Sequence, residues 1–180
     1  MAGSGLSPMG DEERAVSERL KELGVEYERF EHPPVATAEE GERHWVGIDA
    51  THSKNLFLRN QKGDRHYLLV VVHSKRVDLK SVATQIGDGK LSFASPERLM
   101  THLGVTPGSV SPFGLIHGRQ KHVRVFLDRD LATADRVSFH PNINTVTFAL
   151  PRAGFERFLA ASGNAVRYVD VTKTAASSTE

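Results

Sequence analysis

Lys54 and Asn55 stand side by side at the head of the apolar run Leu56-Phe57-Leu58. A lysine that starts a buried strand needs an anionic partner, because an unpaired charge taken out of water costs several kcal/mol. The nearest acids along the chain are Asp49 and Asp64. That scarcity makes a ligand the expected partner, and phosphate fits an ammonium well. The run Gly108-Ser109-Val110-Ser111-Pro112 is the second candidate. Its glycine lets backbone approach a ligand, its proline stiffens the loop, and its N–H groups could hold a carbonyl or a developing oxyanion. The same composition also makes an ordinary tight connection. His140, between Phe139 and Pro141, is held extended by the proline and could position substrate or move a proton. A half-buried, satisfied histidine explains it equally well. His32, before Pro33, poses the same choice with a weaker case, and the remaining histidines read as surface residues.

Several chemistries are not encoded. The chain has no cysteine, so it has no disulfide framework, thiol nucleophile or cysteine-ligated metal. None of its 9 histidines stands in a pattern such as H-E-x-x-H, and His117 and His122 are spaced for neither one helix face nor one strand face. No metal site and no cofactor are expected. There is no G-x-S-x-G elbow and no P-loop. No apolar run reaches the length of a membrane span, and Met1–Gly10 lacks the pattern of a signal peptide, so a cytoplasmic protein with no membrane partner is expected. The overall charge of +1 hides an uneven distribution. Residues 1–50 are acidic, whereas residues 51–90 carry 8 basic and 3 acidic side chains. This basic middle can meet an anionic partner or be a solvated surface.

The elements that would position these residues are mixed helix and strand. Asp11 is placed to cap a helix through Val16, Leu20 and Leu23, with Gly24 ending it. Strands are predicted at 25–30, 53–58, 66–72, 91–93, 123–127, 144–150 and 166–171. Thr37 is placed to cap a short helix over 38–44. Further helices are expected over 78–86, from Ser95-Pro96, and from Pro151. Residues 105–118 read as a structured loop. The sum is one mixed α/β domain of 180 residues with a single sheet and no internal repeat.

Four pieces in order carry a resemblance. They are Glu31-His32-Pro33-Pro34-Val35-Ala36-Thr37, then Lys54–Leu58, then Lys90–Leu99 with Gly104–Gly114, and last Phe139-His140-Pro141 with Asn144-Thr145. Together they resemble the YbaK/ProX family of trans-editing aminoacyl-tRNA deacylases, related to the insertion domain of bacterial prolyl-tRNA synthetase. The likeness is greatest to the ProX (PrdX, ProXp-ala) branch, which clears alanine from mischarged proline tRNA. It runs from about residue 11 to residue 171, leaving 1–10 and 172–180 as expected disordered tails. It implies a single-domain fold of curved mixed β-sheet with flanking helices. It implies metal-free hydrolysis of an aminoacyl ester at a pocket for the tRNA 3′ end, with prolyl-tRNA synthetase or an elongation factor as transient partners. By the same resemblance Lys54 engages the terminal adenosine and its phosphate, and Asn55 assists binding. The loop Gly108, Ser109, Val110, Ser111 and Pro112 supports the substrate, His140 lines the pocket, and His32 and Thr37 contribute to binding. Two departures stand out. His117-Gly118 replace the family's usual Asn-Asp, and Trp45–His52 are spelled differently from the branch. Preference for another residue (cysteine, serine or 2-aminobutyrate) and a non-catalytic tRNA-binding module are the alternatives.

Overall fold

A computed structural model of the chain describes residues 9–35, 37–117 and 122–172. The expected tails fall almost entirely outside the described residues, as do Ala36 and Gly118. Eight strands form one sheet. They are β1 (Glu28–Glu31), β2 (Thr51–Arg59), β3 (His66–Val72), β4 (Ser92–Phe93), β5 (Arg124–Asp128), β6 (Arg136–Phe139), β7 (Val146–Pro151) and β8 (Val166–Val169). Their order is β1-β7-β6-β2-β3-β5-β8, with β4 pairing β2 off that path. The sheet is mixed: β2–β6, β3–β5 and β5–β8 are parallel, and the remaining pairs are antiparallel.

The helices are α1 (Asp11–Glu22), α2 (Ala38–His44), α3 (Leu79–Ile86), α4 (Pro96–Leu103) and α5 (Arg152–Ser162). Thr37 caps α2 by accepting from Glu40 N, and Ser95 caps α4 by accepting from Arg98 N. Asp11 does not cap α1. It is the first helical residue, Gly10 holds the cap position, and the acid instead adds charge to the first turn. The strand predicted from Val25 begins only at Glu28. Part of the predicted loop 105–118 is a 3-10 helix, Pro112–His117. Strand β6 was not foreseen.

The central strand β3 is apolar on both faces, as a strand covered on both sides must be. Leu68 and Val70 join the larger core with α1, α4 and α5, whereas Tyr67, Leu69 and Val71 join a second core with α3. β2 alternates in the same way, with Phe57 in the larger core and Leu58 in the second. The helix α1 is fastened to the sheet by the buried carboxylate of Glu13, paired with Arg29 of β1. This frame leaves β2 with a divided edge. On the side away from β3, its start (Thr51, His52) pairs β6 and its end (Leu58, Arg59) pairs β4. Between them β2 pairs with no strand on that side; Ala94 N donates to Phe57 O, and the Asn55 side chain donates to Val110 O.

Candidate functional site

The gap in the β2 edge is the floor of a pocket of about 180 Å³. Val35, Thr37, Trp45, Ser53, Lys54, Asn55, Gly108, Val110 and His140 line it. Residues 32–35 are brought there by backbone bonds, His32 N to Thr145 O and Val35 N to Asn144 O. Larger hollows of about 520 and 470 Å³ lie beside Asn60–Arg65 and Leu79–Leu91, and neither contains the lysine–asparagine pair.

Consecutive strand residues point to opposite faces. Lys54 and Asn55 are therefore not two groups on one surface; they meet the pocket from two sides of an open edge. The Lys54 ammonium donates to the Lys75 carbonyl and, among the described residues, pairs with no carboxylate. Neither Asp49 nor Asp64 bonds to it. Of the other basic residues in 51–90, Lys75 is bound to Asp128 and Asp130, so the charge of that segment is partly neutralised within the fold.

Asn55 Nδ2 donates to Val110 O at 3.2 Å. A carbonyl can only accept, so this bond fixes the amide orientation and turns Oδ1 the other way. That Oδ1 is buried and has no partner among the described residues. The indole N–H of Trp45 is likewise buried and, among the described residues, without a partner. Both residues line the pocket, and each unpaired atom is itself shielded from solvent. Each such group costs about 1–3 kcal/mol when left unpaired. Trp45 is locked in place, stacked on His52 at 4.5 Å with His73 against its edge at 5.1 Å. Gly41, inside α2, makes room for it: a Cβ there would meet the indole ring at 2.7 Å. Nothing along the chain distinguishes Trp45 from a core tryptophan, although it lies in the stretch that departs from the branch.

The loop supplies fewer donors than its length suggests. Ser109 N–H is taken by Thr106 O, Phe113 N–H by Ser111 Oγ, Gly114 N–H by Ser111 O, and Pro112 has none. The N–H groups of Gly108, Val110 and Ser111 are unpaired among the described residues, and Gly108 and Val110 line the pocket. Gly108 has φ 88, a conformation that a side chain would strain. The assigned loop residues therefore divide. Gly108 and Val110 face the pocket, whereas Ser109, Ser111 and Pro112 are buried behind it and shape the turn.

His140 directly follows β6 and lines the pocket. Its Nδ1 donates to Val146 O at 2.9 Å, which leaves Nε2 with the lone pair. Burial, followed by the charge of His32, lowers its pKa against the favourable bond to Val146, so the ring is neutral at pH 7. His32 does not line the pocket. It stands behind, 5.6 Å from the His140 ring, with Nδ1 on Pro33 O and Nε2 on the Thr147 hydroxyl. Thr37 does line it, with its oxygen already accepting from the α2 backbone.

The arrangement offers a cation, two backbone donors, a side-chain donor, a side-chain acceptor and a neutral imidazole around a small cavity. Such a set can bind an amine beside a carbonyl and stabilise charge developing on the carbonyl oxygen. The chain is 39% identical over 161 residues to the prolyl-tRNA editing protein ProX of Acetoanaerobium sticklandii, across 89% of this chain and 98% of that one. It is 33% identical over 160 residues to the prolyl-tRNA synthetase associated domain-containing protein 1 of Mus musculus, across 86% of this chain and 94% of that protein. The crystal structure of a candidate trans-editing enzyme for prolyl tRNA synthetase matches with a TM-score of 0.71 at 23% identity, covering 92% of this chain and 99% of that one, a likeness of fold. Residues 32–158, which contain every lining residue of the pocket, match the aminoacyl-tRNA editing domain, and the chain belongs to that family.

Proposed function

We propose that this protein is a trans-editing hydrolase that deacylates mischarged tRNA, with alanine on the proline tRNA as its substrate. The observation that carries this reading is the orphan pair at the pocket, Asn55 Oδ1 and Trp45 Nε1–H. An α-aminoacyl ester presents an ammonium that donates and a carbonyl that accepts, and it would pair with each group once the two side chains turn toward the cavity. The names of the relatives, editing proteins and prolyl-tRNA synthetase associated domains, support the same substrate class.

In this mechanism Asn55 Oδ1 receives the α-ammonium. The Gly108 and Val110 N–H groups donate to the ester oxygen on which charge grows, and the Trp45 N–H would add a third donor. Lys54 leaves the Lys75 carbonyl to meet the phosphate and ribose of the terminal adenosine. His140 Nε2 accepts a proton from the attacking water, directly or through the ribose hydroxyl that assists it, and the proton passes to the ribose oxygen as its bond to the acyl carbon breaks, releasing the amino acid and the free tRNA 3′ end. The ester is already activated, so positioning does most of the work and no metal is required.

The preference for alanine follows from size. A synthetase site for proline cannot strongly reject a smaller residue, since a methylene is worth only about 1–3 kcal/mol. A second, tighter pocket removes the error. In the cavity of about 180 Å³ the discrimination would rest on the shape of the walls, Trp45 and Val35, and not on volume alone. The test is a panel of proline tRNA carrying alanine, proline, cysteine, serine or 2-aminobutyrate. Fast loss of alanine with proline retained is the expected result. Loss of prolyl ester with alanyl ester intact would overturn the preference. Salt-sensitive binding with every ester intact would make the protein a tRNA-binding module.

A further inference from the structure

His66, His102 and His122 carry no ligand spacing along the chain because they belong to three different parts of the fold. His66 opens β3 and is buried, His102 lies in the last turn of α4, and His122 is exposed two residues before β5. The expectation that these histidines lie at the surface fails for His66, which is 4% exposed. One ring nitrogen of each lies within 4.8 Å of the other two. The ring centroids are 4.0, 4.7 and 6.2 Å apart. His122 Nε2 and His102 Nδ1 approach to 2.8 Å.

We infer that these three imidazoles form a binding site for one divalent transition-metal ion of the zinc class. Nitrogens at about 2.0–2.1 Å from a tetrahedral ion stand roughly 3.4 Å apart, so only small side-chain rotations separate the observed cluster from a ligand set. Three imidazoles without a carboxylate select zinc, cobalt, nickel or copper over calcium and magnesium.

Arg98 sets the affinity. It lies one turn before His102 on α4, and its Nη1 donates to His66 Nε2 at 2.9 Å and to Gly63 O at 2.7 Å. The guanidinium therefore competes with the ion for His66 and opposes it by charge. When the ion binds, Arg98 keeps Gly63 O and releases the ring. The bound ion ties together the start of β3, the end of α4 and the approach to β5. It does not touch the pocket: His66 is five residues along β3 from Val71, the partner of Lys54, a span of roughly 16 Å.

The full chain is titrated with Co²⁺ and followed by visible absorption, with Zn²⁺ competition and thermal melting in parallel. One equivalent is expected to give the d–d bands of a nitrogen-ligated, four- or five-coordinate site, and Zn²⁺ is expected to raise the melting midpoint. His102→Ala and His122→Ala should each weaken binding by at least about tenfold, the scale of a damaged metal site. Arg98→Met should tighten it severalfold. Absence of one-equivalent binding in both the wild type and Arg98→Met would overturn the inference. So would a cobalt band undiminished in the His102→Ala/His122→Ala double variant, since other histidines would then hold the ion.

Discussion

The two ends of β2 are built from the same kinds of side chain and treat their polar atoms in opposite ways. At the Lys54–Asn55 end, a buried acceptor and a buried donor have no partner among the described residues. At the Arg59 end, the polar groups find one another: Asn60 Nδ2 donates to Asp64, Arg98 to His66, and His122 meets His102. A fold that can satisfy histidines and arginines at one end of a strand has left an amide and an indole wanting at the other. Buried polar atoms in native proteins are nearly all paired, so this end is where the proposed substrate would complete the structure, although Asn142 Oδ1 and Arg152 Nε are also unpaired among the described residues.

Substitutions test that contrast. Lys54→Ala should have the largest effect, a loss of deacylation of about a hundredfold, as expected for a hydrogen bond to a charged phosphate, with the melting midpoint nearly unchanged. A rate equal to wild type in single-turnover assays would free the lysine of its role. Asn55→Ala should cost about tenfold in kcat/KM for the alanyl ester. Trp45→Phe should cost about fivefold, yet its stability penalty should fall below that of an ordinary core truncation, because removing the indole N–H relieves an unpaired buried donor. An equally large stability loss for Trp45→Phe as for a comparable core aromatic would show that its N–H is satisfied after all. Gly41→Ala should shift the indole and change the ratio of alanyl to prolyl hydrolysis more than it changes stability, since the gain in helix propensity of about 1 kcal/mol offsets part of the clash. At the other end, His102→Ala should leave deacylation unchanged.

The smallest effect is on pH dependence. Burial, and then the charge of His73, lowers His52 from its usual 6.5 to about 4. Below pH 6.5 the unfolded chain takes up a proton there that the folded chain refuses until about pH 4. Its contribution to stability is therefore complete above 6.5 and is lost as the pH falls toward 4. Melting midpoints across that window should decline in the wild type and decline less steeply in His52→Gln. Identical slopes would show that His52 is not the titrating group.

Some of this was readable from residue order. Lys54 and Asn55 stood out because polar groups rarely head an apolar strand, His140 because proline follows it, and Thr37 and Ser95 because hydroxyls precede helical runs. What stayed hidden depends on contacts between distant segments. Trp45 follows a helix and reads as core; only the absence of a partner for its N–H separates it from one. Strand β6 is four residues long with Arg136 and Ser138 interleaved, and the alternation before His140 was its faint signal. The three histidines of the inferred metal site come from separate elements, so no spacing rule could find them. Asp11 failed as a cap because Gly10 already had the extended conformation that a cap requires.

The bond from His140 Nδ1 to Val146 O has a consequence for how this site can change over time. The group that sets the proton on the imidazole is a main-chain oxygen, which no substitution at position 146 other than one that moves the backbone can delete. Tautomer choice is thus stored in the path of the chain from 140 to 146. That path turns on Asn142, at φ 63 the one non-glycine residue in the left-handed region among the described residues, whose N–H closes onto His140 O at 2.9 Å. Asn142 is buried there and its Nδ2 donates to Phe113 O, which ties the turn to the loop behind the pocket. A β-branched residue at 142 would reach His140 without ever touching it.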